Sequence, residues 1–168
     1  MQHIVIVGAT SAMAEHCARL WVQASPVRLT LVGRDEARIQ RVADDLCVRS
    51  QHSHVHVMTT DFVNADAIAL AVSAIVALAP IDVVLIAHGV LPDQAQCQND
   101  VLACDAALQI NGVSPVLFAE AFAKLMVADN HGTIAIIGSV AGDRGRKTNY
   151  VYGAAKGLVS RYAQGMQH

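Results

Sequence analysis

Tyr152 and Lys156 are the residues of this sequence whose types and spacing most directly suggest chemistry. Residues four apart lie on one face of a helix, so the phenol and the ammonium could serve a single ligand. A lysine cation beside a tyrosine stabilises the phenolate, which eases proton exchange near neutral pH. Ser139, in the loop before that helix, could donate a second hydrogen bond to a substrate oxygen that gains charge. A surface helix with a solvated lysine would look identical, so the interpretation depends on the rest of the chain.

The composition predicts one globular domain over residues 1–168. Hydrophobic residues make up 54% of the chain and charged residues 15%, and the formal net charge is −2, so neither a disordered chain nor a nucleic-acid partner is expected. The longest apolar stretch, residues 67–79, is shorter than the roughly 20 residues that span a bilayer, and the N-terminus lacks a signal peptide. We therefore expect a cytoplasmic protein without a membrane span. Four cysteines without Cys-x-x-Cys spacing are interpreted as reduced thiols: Cys17, Cys47, Cys97 and Cys104.

Short apolar runs alternate with helical segments along the chain. Gly112 and Pro115 predict a break in the fourth helix, and Pro80 is expected to end the third. Asp35 is the expected N-cap of the second helix. The alternation predicts an α/β, Rossmann-type doubly wound fold, with a parallel sheet of about five strands and helices on both faces. The predicted strands are residues 3–7, 27–32, 55–59, 81–87 and 133–137, and the predicted helices are 11–24, 35–49, 64–79, 99–129 and 150–168.

A glycine turn follows the first predicted strand, beginning at Gly8. At the start of a helix, such a turn offers backbone N–H groups to a pyrophosphate. Ala12 and Ala14 stand where the usual pattern has its second and third glycines, and the Ala12 methyl lies where backbone and phosphate should approach closely. An ordinary tight turn is the alternative. The residues assigned to the cofactor here are Gly8, Thr10, Ser11, Ala12 and Met13.

Arg34 follows the second strand, where the ribose 2′ position of a dinucleotide would lie. An acidic residue there would bind the NAD ribose, whereas arginine favours the 2′-phosphate of NADP, so we prefer NADP to NAD. The alternative is an exposed arginine paired with Asp35 or Glu36. Asp61 follows the third strand and could hydrogen-bond adenine, or else Asp61 or Asn64 caps the next helix.

These features together resemble the short-chain dehydrogenase/reductase family over essentially the whole chain. The resemblance rests on the glycine turn, the serine, Tyr-x-x-x-Lys and an asparagine on the fourth helix. It implies that Ser139 orients the substrate carbonyl and that Tyr152 is the acid/base. It also implies that Lys156 binds the nicotinamide ribose and tunes Tyr152, and that Asn111 holds a proton-relay water. An NADP-dependent oxidoreductase acting on a small-molecule carbonyl or alcohol is expected, with Tyr152 and Lys156 also contacting the cofactor.

The segment after the fourth strand departs from the family pattern. It reads Ile86-Ala87-His88-Gly89, where the family has Asn-Asn-Ala-Gly. Ala87 and Gly89 are expected at the cofactor. His88 either replaces stabilisation that the asparagine gives to the sheet or faces the cofactor. With the glycine turn, this variant looks similar to a divergent branch that includes reductases of decaprenyl-phosphoryl keto-pentoses.

Two groups of polar residues have open interpretations. The cations before Tyr152 could attract a phosphorylated substrate by charge, such as a sugar phosphate, or form a solvated loop. The histidines near the third strand lack an accompanying acidic or cysteine ligand, so a polar edge is preferred to a metal site. The two groups are Arg144, Arg146 and Lys147, and His52, His54 and His56.

The resemblance also implies strands, a Pro-Gly turn and a substrate lid after His168. We therefore expect a chain truncated at its C-terminus, with strand 133–137 at the edge of the sheet. Two hypotheses follow. One is an active NADP-dependent oxidoreductase, and the other is an inactive dinucleotide-binding or oligomerisation module. Helices over residues 116–128 and 150–164 could pack in a homodimer or homotetramer.

Overall fold

The computed structural model describes residues 1–167 and contains a five-stranded parallel sheet in the order β3-β2-β1-β4-β5. Strands β2 and β3 extend the sheet on one side of β1, and β4 and β5 extend it on the other. This reversal places a topological switch point between β1 and β4, and it confirms the predicted doubly wound fold. The strands are β1 (Gln2–Val7), β2 (Val27–Gly33), β3 (His54–Thr59), β4 (Val83–Ile86) and β5 (Thr133–Ile136).

Helices connect the strands and cover both faces of the sheet. A π-helical turn, Gln109–Val113, joins the fifth and sixth α-helices, and a 3₁₀ turn, Val140–Gly142, follows β5. Asp35 accepts a hydrogen bond from the Arg38 N–H and caps the second helix, as predicted. The α-helices are α1 (Ala12–Ala24), α2 (Glu36–Arg49), α3 (Ala65–Val76), α4 (Gln94–Asn99), α5 (Val101–Leu108), α6 (Ser114–Asp129) and α7 (Tyr150–Met166).

Several predicted bounds were wrong. Helix α3 ends at Val76, because a tight turn with a Leu78 N–H to Ile75 O hydrogen bond closes it before Pro80. The predicted helix over 99–129 is interrupted by the π-helical turn Gln109–Val113, which confirms the break predicted from Gly112 and Pro115, whereas helix α4 before it was not predicted. Helix α7 ends at Met166, and the predicted residue 168 lies outside the described residues.

Branched side chains of β1 pack alternately on the two faces of the sheet. Val5 and Val7 join the cluster formed with α3 and α6, whereas Ile4 and Ile6 join the cluster formed with α1 and α2. This alternation is that of a strand covered on both faces. The carboxyl ends of the strands consequently meet at one edge between two helical layers, and this edge carries the candidate site.

The helical stretch Val101–Asp129 is apolar and contains an 18-residue window with a mean hydropathy of 1.4. By length and composition alone it could cross a membrane, and it is longer than the stretch 67–79 considered from the sequence. In the fold, Phe118, Ala119 and Phe122 of this stretch are fully buried against the sheet. It therefore packs as a core helix.

Candidate active site

Helix α7 presents Tyr152 and Lys156 on one face. The Lys156 Nζ lies 5.9 Å from the centroid of the Tyr152 ring and donates a 3.0 Å hydrogen bond to the Ile137 carbonyl, just beyond β5. Lys156 is only 3% exposed, and this burial lowers its pKa. The lysine is thus anchored on the sheet beside the tyrosine.

Ser139 begins the 3₁₀ turn, which packs directly on α7. Its Oγ accepts a 3.2 Å hydrogen bond from the Ala141 N–H, which leaves the hydroxyl proton available to another acceptor. A Cβ at Gly153 would lie 2.7 Å from the Ala141 carbonyl oxygen, and a Cβ at Gly142 would lie 2.8 Å from the backbone of α7. Glycine at both positions therefore allows the serine turn to approach the helix that carries Tyr152.

Asn111 is fully buried in the π-helical turn. Its Nδ2 donates to the Ala107 carbonyl at 2.9 Å, and its Oδ1 accepts from the Val90 N–H at 2.8 Å. Turns of this type often occur at functional sites. The side chain holds the turn against the loop after β4, and its role toward a relay water stays a prediction.

The loop after β4 lies close to residues predicted to be catalytic and to residues predicted to bind the cofactor. A Cβ at Gly89 would lie 2.9 Å from the Asn111 Oδ1 and 3.8 Å from the Lys156 Nζ. Ala87, one of the predicted cofactor residues, is buried and donates its N–H to the Val7 carbonyl at 2.8 Å. A side chain at position 89 would therefore clash with Asn111 and contact Lys156, the two predicted catalytic residues next to this loop.

The glycine turn leads into α1 with a backbone conformation that requires glycine. Gly8 has a φ of +86°, which L side chains rarely adopt, and a Cβ there would lie 2.6 Å from the His88 backbone nitrogen. The N–H groups of Gly8 and Ala9 both donate to the Val32 carbonyl. Ser11, the N-cap of α1, makes no side-chain capping hydrogen bond to any described residue. The first-turn amides of α1 are therefore open to a phosphate.

The two alanines of this turn occupy different environments. Ala14 is fully buried against the sheet, as expected of the packing position. Ala12 and Met13 are exposed at the start of α1. The Ala12 methyl therefore lies on the solvent side of the predicted phosphate site, where the usual pattern has glycine.

A cavity of about 240 Å³ connects the glycine turn, the end of β2 and the loop after β4. Arg34 and Arg38 both line it, together with Thr10 and Ser11. Among residues 1–167, the alternative considered for Arg34, an ion pair with Asp35 or Glu36, does not occur. Arg38 was not predicted, because Arg34 lies outside helix α2 and the spacing of the two arginines gives no helical signal.

Asp61 shapes a turn and does not cap a helix. Its Oδ1 accepts a 2.9 Å hydrogen bond from the Val63 N–H, whereas Asn64 caps α3 through the Ala67 N–H. Asp61 is exposed and lines, with Arg34, a second opening beside the end of β3. It remains available to a ligand there.

His88 packs in the core and also lines the cavity beside the glycine turn. Its Nε2 lies 2.9 Å from the Ser114 Oγ at the start of α6, and its ring packs edge-on against Phe62 and Phe118 at 4.7 and 5.6 Å between centroids. Burial, followed by the charges of Lys156 and Arg34, lowers the pKa of His88 to about 3. The neutral ring joins β4 to α6 and also lines the cavity, so the two roles considered for it are not exclusive.

The remaining polar groups stay on the surface. The cations before α7 are exposed, and so are His52, His54 and His56. In the part of the chain that the structure describes, no three His, Cys, Asp or Glu side chains are grouped to hold a metal ion. The cations are Arg144, Arg146 and Lys147.

The glycine turn and cavity at the switch point define a Rossmann-type dinucleotide-binding fold. A family model described as short chain dehydrogenase matches residues 2–168. The chain therefore belongs to the short-chain dehydrogenase/reductase family, which confirms the family resemblance.

Individual relatives agree with this assignment. An uncharacterised oxidoreductase of Mycobacterium tuberculosis is 29% identical over 97% of this chain and 65% of its own length. Levodione reductase has a similar structure, with a TM-score of 0.90 at 20% identity over 98% of this chain and 64% of its own. A short-chain dehydrogenase from Sphingobium yanoikuyae in complex with NADPH gives 0.88 at 24% identity, over 99% and 65%. The chain thus spans slightly less than two thirds of each of these proteins.

Proposed function

We propose that this chain carries the cofactor-binding and catalytic residues of an NADP-dependent oxidoreductase that interconverts a carbonyl and an alcohol. The observation that carries the proposal is the buried Lys156, held on the Ile137 carbonyl beside Tyr152 and next to the loop that contains Gly89. Burying a lysine disfavours its charged form, so an exposed position would stabilise the cation better. Its burial beside Tyr152 is instead explained by a role in proton transfer at Tyr152.

Each residue of the candidate site has a separate role in the proposed reaction. NADP, when bound, exchanges a hydride with the substrate carbon. Tyr152 exchanges a proton with the substrate oxygen, and the Ser139 hydroxyl donates a hydrogen bond to that oxygen. The Lys156 cation stabilises the charge that Tyr152 gains on donating its proton. Asn111 holds the π-helical turn that supports this group and, by family resemblance, a relay water.

The choice of NADP rests on Arg34 and Arg38, which line one cavity with Thr10 and Ser11. Two guanidinium groups next to hydroxyl donors suit a 2′-phosphate, and a ribose without phosphate would leave both cations unpaired. The related Sphingobium yanoikuyae structure contains NADPH. Gly8, Ala12 and Met13 would hold the pyrophosphate at the start of α1, and Asp61 the adenine.

A sugar or phosphorylated substrate is the narrower proposal. The exposed cations of the loop before α7 favour an anionic substrate by charge, and the Ala-His-Gly variant supports the keto-pentose reductase branch. The four cysteines are free thiols, which supports a cytoplasmic location. Exposed Val127 and Leu158 on α6 and α7 support association into a homodimer or homotetramer through these helices.

Carbonyl-dependent oxidation of NADPH tests the function. The chain is expected to oxidise NADPH with at least one member of a panel of ketones and keto-sugars. Because general acid catalysis contributes about 10²–10⁴-fold, Tyr152→Phe should lower kcat by at least about 100-fold, while the variant should still bind NADPH. NADPH binding without oxidation across the panel, or a fully active Tyr152→Phe variant, would refute the proposal.

A further inference from the structure

The start of helix α7 lacks a cap from its own N-cap residue. Asn149 makes no side-chain capping hydrogen bond to any residue from 1 to 167. The first turn of a helix has N–H groups without intrahelical partners, and it frays when these are left open. Tyr152 lies in this first turn. Its position therefore depends on how other parts of the chain hold the beginning of α7.

Gln94, on the short helix α4, supplies the missing acceptor. Its Oε1 accepts a 3.1 Å hydrogen bond from the Val151 N–H, across a sequence separation of 57 residues. The Val151 side chain is buried in a small apolar cluster with Cys97 and Ala107 of the hairpin formed by α4 and α5. The residue before Tyr152 is thus held by one polar and one apolar contact with the same hairpin.

The hairpin also connects the other parts of the candidate site. It follows the loop that contains Gly89, and α5 runs directly into the π-helical turn that carries Asn111. That turn is tied back to the same loop by the hydrogen bond from the Val90 N–H to Asn111. We propose that Gln94 is a positioning residue. It fixes the start of α7, and with it Tyr152, relative to the loop that contains Gly89. The catalytic part of this inference rests on the proposed function.

The chemistry of the glutamine supports a role beyond stability. The Gln94 Nε2 is buried and has no hydrogen-bond partner among the described residues. A glutamate would accept the same hydrogen bond, interact favourably with the positive end of α7 and leave no buried donor unpaired. Its charge would, however, oppose the charge that Tyr152 gains on donating a proton. A neutral acceptor caps the helix without this repulsion.

Gln94→Leu removes the acceptor. Gln98 is an exposed glutamine on the same helix, so Gln98→Leu is the matched control. Loss of a helix cap should raise the amide exchange rate of Val151 by about fivefold, measured by NMR. With the best carbonyl of the panel, kcat should fall by a similar factor while the Kd for NADPH stays unchanged. Gln98→Leu should change none of the three quantities.

Gln94→Glu separates capping from catalysis. It should keep the Val151 amide protected and the protein at least as stable, yet lower kcat and change its pH dependence, which a purely structural role would not do. The inference is overturned if Gln94→Leu leaves Val151 protection unchanged, or if it exposes the amide without lowering kcat.

A wild-type chain without turnover would refute the proposed function but not this inference. The test is then the shift of the Tyr152 ring signals when NADPH is added, which needs no reaction. Loss of that shift in Gln94→Leu but not in Gln98→Leu would support positioning. The same shift in both variants would overturn it.

Discussion

Replacing Gly8 with alanine should lower the free energy of unfolding more than replacing any exposed glycine with alanine does. The φ of +86° disfavours an L residue by about 1–2 kcal/mol. The new Cβ would lie 2.6 Å from the His88 backbone nitrogen and 2.7 Å from its Cα. Because these are backbone atoms, relief requires the two strand ends to separate, and such overpacking typically adds about 1–3 kcal/mol. We therefore expect Gly8→Ala to lower the free energy of unfolding by about 2–5 kcal/mol.

Urea unfolding followed by the fluorescence of Trp21, the single tryptophan, measures this change. Gly145→Ala is the control, because a Cβ at Gly145 would meet no atom within 4 Å. Its stability should remain within about 0.5 kcal/mol of the wild type. Since the clash displaces the turn from the cofactor cavity, Gly8→Ala should also bind NADPH more weakly where it is still folded. A Gly8→Ala protein with the stability and NADPH affinity of Gly145→Ala would show that the turn and β4 are not in close contact.

Three further predictions concern charge, protonation and packing. Arg34→Ala should weaken NADP binding by at least about tenfold, since a charge-assisted contact is worth roughly 1.5–3 kcal/mol, but leave NAD binding nearly unchanged. Equal effects of the substitution on the binding titrations of the two dinucleotides would contradict this. The pKa of His88 is lowered to about 3, so below pH 6.5 the unfolded chain takes up a proton at this histidine before the folded protein does. The free energy of unfolding should therefore fall by about 1.4 kcal/mol per pH unit as the pH drops below 6.5. His88→Gln should flatten that slope in urea titrations at several pH values, and an unchanged slope would assign it to other groups. Gly153→Ala should displace the Ala141 carbonyl, which a Cβ would approach to 2.7 Å, and so lower kcat more than Gly145→Ala does.

The parts of the site predicted from the sequence are those with local signals. Tyr152 and Lys156 share a helical face because their spacing fits the helical repeat, and Gly8 marks a turn because it ends an apolar strand. Asp35 could be recognised as a cap because its acceptor serves an N–H three residues on. Each of these features depends on a few neighbouring residues.

The parts that were missed depend on contacts between distant segments. Helix α4 has a polar sequence in which only Cys97 is buried, and it begins where Asp93 accepts hydrogen bonds from Ala95 and Gln96. No periodic apolar pattern marks such a helix. The capping role of Gln94 likewise requires knowledge that α4 lies against α7. The two environments of His88 could be assigned only once Ser114 and the aromatic rings were placed around it.

The glycines of α7 show how the site limits the stability of the helix that carries it. A glycine inside a helix is less stable than alanine by about 0.5–1 kcal/mol, so Gly153 and Gly157 weaken α7 where Tyr152 and Lys156 lie. Both glycines face the 3₁₀ turn: a Cβ at Gly153 would lie 2.7 Å from the Ala141 carbonyl oxygen, and a Cβ at Gly157 would lie 3.2 Å from the Gly142 carbonyl oxygen. Larger residues would strengthen the isolated helix but push the Ser139 turn away from Tyr152. External contacts such as those from the hairpin of α4 and α5 are therefore needed to hold this weakened helix in place.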